Sequence, residues 1–90
     1  MAKAHVDPEQ LRQFARDLKH FNTNLSELMS GLSSRMAELE KSWRDQEQHK
    51  FARQLEQTMK ALRRFVESSD EHVAFLNRKA GLIEDYLQQH

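Results

Sequence analysis

The sequence predicts an all-α protein, an antiparallel helix-turn-helix hairpin of which two copies pack as a four-helix bundle dimer. Three observations carry the prediction. Strand signals are absent: valine and isoleucine together occur four times in 90 residues, and no run alternates polar with apolar side chains. Loop punctuation is scarce, with 2 Gly, 1 Pro and no Cys. Two long stretches place apolar residues at alternating three- and four-residue steps, the period of a helix face.

The first element opens at Asp7-Pro8-Glu9-Gln10. Aspartate is a favoured N-cap, proline suits the first helical position because its missing N–H has no partner there, and Gln10 stands where a capping box places it. Glu9 complements the positive end of the helix dipole. Leu11, Phe14, Leu18, Phe21, Leu25, Leu28 and Leu32 follow as a heptad stripe, which Met36, Leu39 and Trp43 extend after a phase shift near Arg35. The stripe predicts a helix over about residues 8–42, roughly 54 Å long at 1.5 Å per residue.

The two periodic runs meet at Lys41–Gln48. Asp45 followed three residues on by Gln48 reads as a second capping box, so the turn is expected at about 43–45 and a second helix over about 46–88. Its seam is Leu55, Met59, Leu62, Val66, Ser69, Val73, Leu76, Ala80, Ile83 and Leu87, widened by Phe51, Phe65, Phe75 and Tyr86. Two rival breaks, Ser30-Gly31 and Ser68–Glu71, would yield three shorter helices. Both seams run through those points in phase, and a single mid-helix glycine costs only about 1 kcal/mol, which favours the hairpin.

A stripe this wide needs more than one neighbour. A two-helix hairpin shares one seam and leaves the flanking aromatics uncovered, whereas burying one such side chain is worth about 1.5–3 kcal/mol. Packing two hairpins together covers them. Charge favours an antiparallel pair: residues 41–64 hold seven basic and three acidic side chains, residues 65–90 two basic and five acidic. Head-to-tail packing sets the basic turn half of one copy beside the acidic open half of the other.

Composition excludes several function classes. Basic and acidic residues balance at 14 each, against the basic excess of a nucleic-acid binder. The basic stretch Lys50, Arg53, Lys60, Arg63 and Arg64 reads as a solvated helix face. No apolar run reaches the length of about 20 residues that spans a bilayer, so stable membrane insertion is not expected. The leading Met-Ala-Lys-Ala-His lacks the apolar core of a secretory signal, so any export would be signal-peptide-independent, with a cytoplasmic location as the alternative. Five histidines occur, but Asp17/His20 and Asp45/His49 do not repeat the Glu-x-x-His pattern of a bundle metal centre, and Met29, Met36 and Met59 read as seam fillers. Neither cofactor nor metal is expected, and no phosphate loop or nucleophile motif points to catalysis.

Around Trp43, flanked by Leu39, Asp45, Phe51 and Leu55, the chain resembles the WXG family of helical hairpins, the small substrates and partner proteins of bacterial type VII secretion. The resemblance spans nearly the whole chain and implies a homodimeric or heterodimeric four-helix bundle with the tryptophan at the turn. It implies as partners a second copy or a paralogous hairpin, and a secretion ATPase as a further contact. Two departures stand out. Asp45 replaces the glycine of the family motif, and His90 stands where exported members carry an acidic residue four positions after a tyrosine, here Tyr86. Trp43, Arg44, Asp45 and Tyr86 are accordingly the expected turn and recognition residues, with Trp43 also an aromatic plug where the helices meet. The expected hairpin and dimer core is Leu11, Phe14, Leu18, Phe21, Leu25, Leu28, Leu32, Leu39, Phe51, Leu55, Met59, Leu62, Phe65, Val66, Val73, Leu76, Ile83 and Leu87. A cytoplasmic adaptor or chaperone-like module that binds an unrelated partner's helix is the alternative reading.

Overall fold

A computed structural model describes residues 6–89. The first five residues, read above for a leader, and His90, read for the tail motif, lie outside the described residues. The chain is all-helical, with two helices and no strand among the described residues: α1 spans Pro8–Leu39 and α2 spans Gln46–Gln88. Neither rival break interrupts them. Gly31 lies inside α1 in open space, and Ser68–Glu71 continue as α-helix.

Both helix starts follow from their caps. The Asp7 carboxylate accepts a hydrogen bond from the Glu9 N–H at 2.9 Å, so it serves the second helical residue rather than Gln10. At α2 the Asp45 carboxylate accepts from the Gln48 N–H at 2.9 Å. The Gln48 side chain does not complete a capping box; it donates across the turn to the Glu40 carboxylate at 3.2 Å.

Helix α1 stops three residues before the sequence spacing predicts. The Lys41 and Ser42 N–H groups reach back three residues, to the Glu38 and Leu39 carbonyls at 3.1 Å each, which tightens the end of the helix into a turn. Arg44 Nε and Ser42 Oγ donate to the carbonyls of Glu40 and Leu39. No described residue has a positive φ, and Asp45 itself is extended at φ −83°. The chain therefore reverses without needing glycine, and aspartate meets the one demand of the site, an N-cap.

The seam between the helices is thin. Its fully buried apolar residues are Ala15, Met29, Met59 and Ala80. Asn22, Gln48 and Ser69 are buried with them. Leu11, Leu18, Leu25, Leu55, Leu62, Val66, Val73, Leu76 and Ile83 line the seam half-buried. The hairpin measures 68 × 21 × 16 Å with a radius of gyration of 20.2 Å, against about 12 Å for a compact domain of this length. Its accessible surface is 7292 Å²; a compact monomer of 10.7 kDa exposes roughly 5,500 Å².

Candidate interaction surface

The seam divides the hairpin into two unlike flanks, because helix positions advance about 100° per residue and each helix leaves one set of side chains on either side of its buried line. One flank is polar. Arg12 clasps Glu84 with two hydrogen bonds, Nη2 to Oε1 at 2.7 Å and Nε to Oε2 at 3.1 Å. That hydrogen-bonded pair holds the Glu84 carboxyl below its ordinary range and the Arg12 guanidinium above its own. About four turns along α2, Asp70 accepts from Asn22 Nδ2 at 2.9 Å and from Lys19 Nζ at 3.4 Å. Beyond these lie Ser26, Ser30 and Ser33, which line a shallow groove of about 260 Å³ with Arg63.

The other flank is apolar and uncovered. Phe14 is 58% exposed, Phe21 51% and Leu28 71%, and Leu32 and Leu39 are exposed with them. Helix α2 contributes Phe51, Phe65, Tyr86 and Leu87, all exposed, while Phe75 and Leu82, two residues on from the seam residues Val73 and Ala80, stand exposed further round the helix. The Phe21 and Phe65 rings meet edge to face, centroids 6.2 Å apart, which ties the two helices' apolar stripes into one surface. An exposed face of this extent marks a binding surface.

The expected core therefore separates into two sets. Leu11, Leu18, Leu25, Leu55, Met59, Leu62, Val66, Val73, Leu76 and Ile83 line the seam; Phe14, Phe21, Leu28, Leu32, Leu39, Phe51, Phe65 and Leu87 stand on the surface. Sequence reasoning missed Ala15, Asn22 and Gln48, which are buried. The signal was present but faint: Ala15, Asn22 and Met29 form their own seven-residue series, one position on from Phe14, Phe21 and Leu28. In the first two pairs the smaller side chain, Ala15 or Asn22, turns to the sister helix and the phenylalanine faces outward.

At the turn, Trp43 is half-buried with its ring 5.9 Å from that of Phe51, and Arg44 and Asp45 are exposed. Tyr86 lies at the opposite end of the molecule in an apolar groove of about 660 Å³, with Val6, Pro8, Leu82, Ile83 and Leu87. Trp43 and Tyr86 are thus not brought together within one chain.

Among the described residues no group of three or more His, Asp or Glu side chains is placed to hold a metal ion, and no helix is long and apolar enough to cross a membrane. His20 and His49 are exposed. What the geometry offers is a long apolar face backed by a polar one. A family model described as WXG100, proteins of 100 residues with WXG, matches residues 3–86. No curated protein matches the chain.

Proposed function

The chain belongs to the WXG100 family of helical hairpins, small proteins associated with type VII secretion, and from that membership we propose that it acts without catalysis, as a substrate or partner protein of a type VII-like bacterial secretion system, in the form of a dimer. The observation that carries this reading is the uncovered aromatic face running the length of both helices. A chain that needed only to fold would not keep five such aromatic residues, Phe14, Phe21, Phe51, Phe65 and Phe75, half in water. A second hairpin laid on that face completes a four-helix bundle. The turn residues Trp43, Arg44 and Asp45 and the tail at Tyr86 then remain at the ends of the bundle for recognition, including by a secretion ATPase. Export in this scheme uses the folded pair.

The test is export from cells that carry a type VII-like system, with the secretion ATPase present or deleted. Release of the chain into the medium that stops on deletion supports the proposal. Release that continues unchanged without the ATPase, or an intact system that exports nothing and binds neither the chain nor its dimer, overturns it.

A further inference from the structure

The outer edge of the apolar face carries two charges in equivalent settings. Asp17 has Phe14 three residues before it and Phe21 four residues after; Arg35 has Leu32 and Leu39 at the same offsets. The two lie 18 residues apart, about five full turns or 27 Å, so both leave α1 in one direction. Both are exposed, and neither makes an ion pair within the chain among the described residues. Midway between them is Ser26, which shares one groove with Arg63 and another with Val66. Phe65, in the exposed Phe21–Phe65 pair, stands at that same level.

We infer that Asp17 and Arg35 select and register a second copy of this chain on the apolar face, through two Asp17–Arg35 ion pairs related by a two-fold axis at the level of Ser26 and Phe65. The inference rests on the dimer reading above and adds to it the identity and register of the partner. A two-fold axis there carries Asp17 onto the partner's Arg35 and, with it, Phe14 onto the partner's Leu39 and Phe21 onto the partner's Leu32. Phenylalanine then packs on leucine along the stripe, and Phe65 meets its own copy. The same operation lays the basic stretch 41–64 against the partner's acidic 65–90. A parallel pair instead brings Asp17 to the level of Asp70 and Glu71, and Arg35 to that of Arg53. The face lies on a hairpin whose Cα extents are 68 by 21 Å, room enough for the roughly 800 Å² that each partner of a stable interface buries.

Charge reversal tests the register without disturbing the fold, since both side chains are exposed. Asp17→Lys alone and Arg35→Glu alone each replace two attractive contacts per dimer with two repulsive ones. Each is expected to weaken self-association about tenfold by sedimentation equilibrium at low salt, with helical content by circular dichroism unchanged. The double variant restores the original affinity. Mixing the two single variants yields a heterodimer in preference to either homodimer, because each chain then offers the charge the other lacks. A dimer whose affinity ignores all of these changes overturns the register and leaves the dimer reading standing. A wild-type chain that stays monomeric overturns the dimer reading itself.

Discussion

Asp45 shows how one residue can depart from a family motif and still serve its geometry. At φ −83° the backbone does not require glycine, and the carboxylate caps α2 through Gln48. Asp45→Ala should therefore lower stability by about 1 kcal/mol, and Asp45→Gly by only a few tenths, in urea unfolding of the assembled protein. A glycine variant more stable than wild type would mean that the turn is strained in a way its φ values do not show. Asn22 sits at the other extreme, 1% exposed with its Oδ1 unpartnered, as is the buried Ser69 hydroxyl. A buried polar group left unpaired costs about 1–3 kcal/mol, and its common use on a helical seam is to fix register. Ser69 falls in phase with the α2 seam and was legible there, whereas Asn22 stands one position beyond the phenylalanine–leucine stripe of α1 and breaks the apolar pattern on which the reading depends.

At the scale of elements, the helices were legible and their mutual rotation was not. The three–four periodicity, the Asp7-Pro8 start and the Asp45 cap determine where α1 and α2 run, and only the last turn of α1 differs from the expectation. The stripe of α1 is wider than the contact one antiparallel neighbour makes, so periodicity alone does not say which edge faces inward. The structure places the Ala15–Asn22–Met29 edge inward, which lets the backbones approach closely and frees the polar flank to pin the helices with Arg12–Glu84 and Asp70. The clasp has a pH signature. Because Glu84 in the hairpin titrates below its ordinary value near 4.5, the unfolded chain binds more protons in that range, so the clasp stabilises fully above it and the contribution is lost as pH falls through the depressed value. Glu84→Gln should then reduce the urea midpoint at neutral pH, and the difference between variant and wild type should shrink as pH falls through the depressed value of the Glu84 carboxyl. An equal loss at every pH would assign the effect to packing.

At the scale of the molecule, four small or flexible buried apolar side chains and a single seam are a slight core for a hairpin 68 Å long. The surface in excess of a compact monomer, roughly 1,800 Å² from the size scaling, is of the order that a protein–protein interface covers. The uncovered apolar surface was legible from sequence as a surplus of aromatic residues, because burial capacity can be counted before geometry is known. The location of that surplus, on surfaces the sister helix leaves uncovered, required the coordinates. Sedimentation equilibrium of the purified chain decides whether a second hairpin covers the apolar face. A species of twice the 10.7 kDa chain mass is expected, with a melting temperature that rises with protein concentration. A compact, cooperatively folded monomer whose melting temperature is the same at every concentration would contradict it.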